Sequence, residues 1–354
     1  MLDFEINGKT HDYLNPYIIA EIGMNYEGSL PRAKAMIEQV AAGGGHAAKF
    51  QTYKADKLAA KHTSPAYWDT TQEPTKSQHE LFGRFDAFGE AEYAELAAHC
   101  QSLGLDFMST PFDLEAVEYL TPLMPVTKVA SADLTNIPLI RKIAKTGNPM
   151  VMSVGAGSHQ EMERAISEAL DGGAPSLTLL HCVLNYPTPR ENAQLSQIKV
   201  LQERYSDRVA VGYSDHVRPE ADGTMPALEI AALYGARVIE KHFTDNKLGV
   251  GNDHYHAMNE ADLRNFVNRL GIYRELHGDG NLHLDTQESA ITNARRRIIA
   301  ATDLAAGQTI AESDLIALRS NVGIEIYDWD KVVGAKIRTA VAAEAPIVWE
   351  DLEA

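Results

Sequence analysis

The strongest constraint on this chain is an alternation. Eight short β-rich segments recur along the first 243 residues: YIIAEIG (17–23), HAAKFQT (46–52), LDFMSTP (105–111), VTKVAS (126–131), PMVMSVG (149–155), LTLLHCV (177–183), VAVGYSDH (209–216) and ARVIEKHF (236–243). Between most of them lie stretches with apolar residues at helical spacing, such as LPRAKAMIEQVAAGG and HQEMERAISEALDGG, each closed by glycines as helix C-termini often are. Eight β-α alternations in this length predict an α/β protein built as a closed (β/α)8 TIM barrel rather than an open doubly wound sheet. The absence of GxGxxG after the first segment also weighs against a dinucleotide fold.

The flanks add to this frame. Asn7-Gly8 in FEINGKTH is the signature of a tight hairpin, so residues 1–16 are expected to form a small N-terminal hairpin cap on the barrel. Segment 53–80 is too long for an ordinary βα loop and mixes polar with aromatic residues, as functional loops do. After about residue 280 the pattern shifts to short β-like pieces separated by turns, with no long amphipathic helix. The expected division is a barrel at 1–271, a connection at 272–294 and a small β-rich domain at 295–354. A unit of about 60 residues is marginal alone, so it is expected to lean on the barrel or on a partner subunit.

A net charge of −17 argues against nucleic acid or an anionic membrane as the main partner, because both attract basic surfaces. It leaves room for a small anionic substrate held by a few local lysines. Two cysteines, Cys100 and Cys182, are too few for a disulfide framework or a thiolate zinc site. The opening MLDFEINGKTHD carries acids and a turn instead of a basic segment followed by an apolar one, and no apolar run reaches the length of a membrane span. The expectation is a cytoplasmic protein.

In a (β/α) barrel the chemistry collects at the C-terminal strand ends. Here those ends carry Glu21 and Asn25, Lys49 and Gln51, Ser109 and Thr110, Lys128 and Ser131, Ser153, the run from His181 to Tyr186, Ser214 to His216, and Glu240 with His242. His216 and His242 end neighbouring strands and form either a pair of imidazole ligands for a divalent metal or two hydrogen-bonded histidines at the rim. Lys49 and Lys128, near Ser131 and Ser153, suit a phosphate or carboxylate; a Schiff-base lysine and a solvated strand end are the alternatives. Closure brings Glu21 beside Glu240, as bases, as histidine-orienting groups or as salt-bridge partners. By strand alternation Lys241 points outward.

Six motifs in order, IIAEIGMNYEG, AKFQTY, STPFD, HCVLNYPTP, GYSDH and IEKHFT, resemble the sialic acid synthase family, and the tail ATDLAAGQTIAESDLIALRSNVGI is similar to the antifreeze-like domain that closes those enzymes. The resemblance implies condensation of phosphoenolpyruvate with an open-chain aminosugar, such as N-acetylmannosamine or a diacetamido-trideoxyhexose, to a nonulosonic acid plus phosphate. It implies a divalent cation, Mn2+ or Mg2+, on His216 and His242, and a phosphoenolpyruvate cradle of Lys49, Thr110, Lys128, Ser131, Ser153 and Ser214. It implies catalytic roles for Glu21, Glu240 and Arg319, sugar contacts from Gln51 and Tyr186, and a polar contact from Asn185. It also implies a domain-swapped homodimer in which Arg319 enters the partner's site.

The chain departs from the family pattern at Tyr26, at Leu184-Asn185, at Ser320 and in GNDHYHAM, and these changes are expected to cluster with segment 53–80 around the sugar. Rival readings are a synthase for a phosphorylated aldose, a Schiff-base aldolase, and a sugar-binding relative without catalysis.

Overall fold

A computed structural model describes residues 2–68, 70–71, 73–251 and 253–353. Two short strands, β1 (Phe4–Ile6) and β2 (Lys9–His11), pair antiparallel around Asn7 and Gly8, whose φ angles of 50° and 72° are those a two-residue hairpin turn requires. Eight parallel strands follow: β3 (Tyr17–Gly23), β4 (Ala47–Thr52), β5 (Asp106–Pro111), β6 (Thr127–Val129), β7 (Met150–Ser153), β8 (Leu177–Cys182), β9 (Ala210–Asp215) and β10 (Val238–His242). Their order is β5-β4-β3-β10-β9-β8-β7-β6, and β5 packs beside β6 to complete the ring. The expected barrel is therefore formed, each of its strands leading into a helix of the outer layer, from Leu30–Gly43 after β3 to Glu260–His277 after β10.

Strand pleating explains what the barrel encloses. Side chains alternate between the helix-facing side and the interior. On β3, Ile18, Ala20 and Ile22 pack toward the helices while Tyr17 and Ile19 face inward. The inward residues Ile19, Ala47, Met108, Val126, Val151, Leu180 and Val238 form one buried apolar cluster, and Phe4 and Ile6 of the hairpin join it. The hairpin thus plugs the barrel at its N-terminal end, where Asn7 Nδ2 and Tyr17 Oη donate to the Asp106 carboxylate at 2.8 and 2.6 Å.

Two residues further along each strand, the inward position turns polar or reactive: Glu21, Lys49, Thr110, Lys128, Ser153, Cys182, Ser214 and Glu240. All eight are buried. Burying an aliphatic side chain contributes roughly 1.5–3 kcal/mol, whereas burying an unpaired charge costs far more. The apolar plug therefore supports a layer that must satisfy itself.

The helix Glu260–His277 continues past residue 271, so the barrel unit extends to His277 and the second unit covers Gly278–Ala354. The connection carries short helical pieces at Asp285–Gln287 and Glu288–Ala294. In the second unit β11 (Arg296–Ala300) and β12 (Leu315–Arg319) pair antiparallel, Arg296 opposite Arg319. This unit has its own small core, including Ile298, Ile310, Ile324, Val332, Ile337 and Ile347. Among the described residues no helix is long and apolar enough to cross a membrane.

Candidate active site

A cavity of about 420 Å³ lies over the polar layer at the C-terminal ends of the barrel strands. Its charged floor is set by register. The β3–β4 ladder runs in regular register from Ile19 opposite Ala47 to Glu21 opposite Lys49, and shifts only beyond that pair, before Gly23, which has a φ of 56°. A bulge of this kind re-aims a side chain at the rim of a barrel. Glu21 is ion-paired to Lys49 and accepts from Gln51 Nε2 at 3.0 Å. Lys49 Nζ also donates to Thr110 Oγ1 at 3.2 Å and lies 3.5 Å from Glu240 Oε2. Glu240 accepts from Ser214 Oγ at 2.9 Å and faces Lys128 Nζ at 3.6 Å.

These four charges do not titrate alike. Burial pushes Glu21 up to about 7, against the pull of Lys49 and with the help of Glu240. Burial would raise Glu240 too, but the two ammoniums and the Ser214 hydroxyl outweigh it and hold Glu240 down at about 2. For Lys49 burial is outweighed by the two carboxylates, which keep it above its ordinary value. Lys128 is pulled below its ordinary value by burial, with repulsion from Lys49 adding to this and Glu240 opposing it. The two neighbouring carboxylates are thus shifted in opposite directions, Glu21 up and Glu240 down, a pattern that accompanies acid and base roles in active sites.

Beside this floor Ser131 Oγ accepts from the Gly155 amide at 2.9 Å, and Ser153 Oγ is buried with no hydrogen-bond partner among the described residues. A buried hydroxyl without a partner costs free energy unless something else engages it.

The rim carries the histidines. The rings of His216 and His242 are 5.4 Å apart. His216 Nδ1 lies 2.8 Å from the Val183 carbonyl, which fixes the proton there and leaves Nε2 with its lone pair. His242 Nδ1 lies 3.2 Å from Asp253 Oδ2, and burial holds this imidazole well below its ordinary value despite that carboxylate. Tyr186 packs against both, its ring 4.2 Å from that of His216 at a tilt of 47° and edge-on to that of His242 at 6.4 Å. Above the rim, Leu58, Tyr67, Trp68, Leu81, Phe82 and Leu184 make an apolar wall.

The NeuB family model matches residues 36–281, and an SAF domain model matches residues 295–353. The chain belongs to the NeuB family. The N,N'-diacetyllegionaminic acid synthase of Legionella pneumophila is 33% identical over 345 residues, covering 96% of this chain and 95% of that one. The N-acetylneuraminate-9-phosphate synthase of Drosophila melanogaster is 31% identical over 97% of this chain and 92% of its own. The crystal structure of an N-acetylneuraminic acid synthetase from Leptospira borgpetersenii, in complex with citrate, superposes with a TM-score of 0.70 at 29% identity, covering 82% of this chain and 95% of that one.

In this NeuB chain thirteen residues had been singled out on the barrel, and all but one line the cavity: Glu21, Lys49, Gln51, Thr110, Lys128, Ser131, Ser153, Tyr186, Ser214, His216, Glu240 and His242 do, and Asn185 does not. Asn185 is exposed, and its carbonyl accepts from Thr188 Oγ1 at 2.9 Å; Leu184 and Tyr186 on either side face inward instead. Tyr26 is not at the sugar end either. It is fully buried between Phe50 and Phe88 in the strand–helix layer. Lys241 points away from the cavity yet is buried, its Nζ 2.6 Å from Asp215 Oδ2 and from the Val217 carbonyl. Arg319 ends β12 in the second unit, exposed.

Asp253, which lines the cavity, and His256 behind it fall outside strand-end reasoning in this NeuB sequence, because they follow β10 at the start and on the last residue of a one-turn 3-10 helix, His254–His256, with no periodicity to mark it. Their only signal was the unusual GNDHYHAM. The aromatic wall had a clearer one, the length and composition of segment 53–80.

Proposed function

We propose that this NeuB-family protein is a nonulosonic acid synthase that condenses phosphoenolpyruvate with the open-chain form of an unphosphorylated N-acylated aminosugar. The observation that carries this reading is the paired floor, Lys49 and Lys128 against Glu21 and Glu240, with the unengaged Ser153 hydroxyl beside it. Phosphoenolpyruvate carries a phosphate and a carboxylate, the groups that ammoniums, hydroxyls and backbone amides bind best.

The enol carbon C3 of phosphoenolpyruvate forms a bond to the aldehyde carbon of the sugar. Water adds at C2, and the bond from C2 to the phosphate ester oxygen breaks, releasing inorganic phosphate. Lys49, Lys128, Ser131, Ser153, Ser214 and Thr110 hold the anion and orient C3. Glu240, kept ionised, orients the ammoniums. Glu21, poised near 7, takes a proton from the water or returns one to the sugar oxygen.

The donor set at the rim fits a divalent cation. His216 is hydrogen-bonded through Nδ1 to the Val183 carbonyl and His242 turns Nδ1 toward the Asp253 carboxylate at 3.2 Å, leaving Nε2 of each for a metal, and no third His, Cys, Asp or Glu among the described residues completes a preformed site. The remaining positions then fall to water and substrate oxygens, as Lewis-acid chemistry requires. His216 and His242 would hold Mn2+ or Mg2+, which when bound polarises the aldehyde.

The wall supports an uncharged acceptor. Beyond the floor lysines no Lys or Arg lines the cavity among the described residues, while Glu73 and Asp253 line it. A sugar phosphate would bring a second anion to a wall of aromatics and carboxylates. In this reading Arg319 completes the site of a second copy in a domain-swapped homodimer, and neither nucleic acid nor membrane is a partner. The test is phosphate release from phosphoenolpyruvate with Mn2+ and N-acetylmannosamine, its 6-phosphate, or a diacetamido-trideoxyhexose, each alone. Trapping by borohydride with pyruvate at Lys49 or Lys128 would instead mark a Schiff-base aldolase.

A further inference from the structure

Three imidazoles, not two, stand at the rim. His256 is fully buried, with its ring 5.0 Å from that of His242 and 5.8 Å from that of His216. The Asp253 carboxylate lies between two of them, Oδ2 at 3.2 Å from His242 Nδ1 and Oδ1 at 3.2 Å from His256 Nε2. The backbone that carries the carboxylate is itself tethered: the Asp253 amide donates to Asn25 Oδ1 at 3.3 Å, and Asn25 Nδ2 donates to the Phe243 carbonyl at 2.9 Å. Among the described residues His256 Nδ1 is buried without a hydrogen-bond partner, which costs free energy.

We infer that His256 is a positioning residue: by hydrogen-bonding Oδ1 of Asp253 it keeps Oδ2 3.2 Å from His242 Nδ1, an ionic contact in which the carboxylate favours a proton on that nitrogen and leaves Nε2 free for the cation. A carboxylate on the far nitrogen of a ligating histidine fixes its ring orientation and raises its basicity, and removing such a partner commonly weakens metal binding about 10–100-fold. His256 extends that support by one residue. The inference rests on His216 and His242 as the metal pair, and the tests below separate the two ideas.

Mn2+ is titrated into the metal-stripped full-length protein without substrates, and the free ion is followed by its electron paramagnetic resonance signal. Asp253→Asn should raise the Kd about 10–100-fold. His256→Ala should raise it about tenfold, and His256→Phe, which keeps ring volume but has no donor, should do the same. His256→Gln, which returns a side-chain donor, should stay within about threefold of the wild type. Near-ultraviolet circular dichroism establishes that each variant is folded, and His256→Phe carries the test if the alanine variant is not. Folded His256 variants with wild-type affinity would overturn the positioning role alone. A wild type that takes up no Mn2+ would overturn it together with the metal pair.

Discussion

Lys49 on β4 reaches past β3 to Glu240 on β10, its Nζ 3.5 Å from Oε2, so the second and last strands of the barrel are tied by charge across the first. The same ammonium is ion-paired to Glu21, which makes it the shared counter-charge of two buried carboxylates.

Removing that counter-charge should be costly in a pH-dependent way. Lys49→Met leaves Glu21 beside Glu240, and breaking a buried pair by deleting one partner typically destabilises by about 3–5 kcal/mol. Denaturant melts should show the variant's largest loss relative to the wild type above pH 7, where wild-type Glu21 ionises against Lys49 and the variant has no counter-charge for it, and a smaller loss near pH 5, where Glu21 is protonated in both. An equal loss at both pH values would contradict the shared role.

Glu21 also sets a limb of the rate profile. Its carboxyl is raised to about 7 by burial, so the base form is depleted as pH falls through that value. The profile of kcat/KM, which reports the free enzyme, should therefore fall on the acid side of about pH 7. Glu21→Gln should lose that limb along with about 10²–10⁴ in rate.

Ser153 separates binding from folding. Its hydroxyl is buried with no partner among the described residues, so Ser153→Ala removes an unsatisfied group, and the melting temperature of the substrate-free protein should not drop. A hydrogen bond to a charged group is worth about 1.5–3 kcal/mol, so the KM for phosphoenolpyruvate should rise roughly 10–100-fold. An unchanged KM would place the anion elsewhere.

The strand positions were legible because they follow a rule. Period-two alternation on parallel strands, with the site at their C-terminal ends, put Glu21, Lys49, Lys128 and Glu240 in one layer without any contact being known. The β3 bulge just after the Glu21–Lys49 pair was hidden, since nothing in IIAEIG marks an extra residue. Asn185 and Tyr26 show the limit of loop reasoning: a motif neighbour is one residue away in sequence and can face the opposite direction in space. GNDHYHAM was marked as a whole stretch near the cavity, but Asp253 and His256 within it were not individually legible, being placed by a single irregular turn.

Arg319 gives a test of assembly. If it acts in a partner's site, Arg319→Ala and Glu240→Gln are each inactive, yet mixing them after subunit exchange should restore activity. Random exchange makes half the dimers mixed, each with one intact site, so roughly a quarter of wild-type activity is expected. No recovery despite demonstrated exchange would place Arg319 in its own barrel's site or outside catalysis.

The most direct measurement is the reaction itself, run with Mn2+, phosphoenolpyruvate labelled with 18O at the bridging ester oxygen, and one unphosphorylated aminosugar at a time. Condensation with cleavage of the bond from C2 to oxygen predicts one labelled phosphate per nine-carbon acid formed, with one acceptor and without its 6-phosphate. Release only with a phosphorylated sugar would contradict the uncharged acceptor, and label retained in the organic product, or no turnover with any acceptor, would contradict the synthase chemistry.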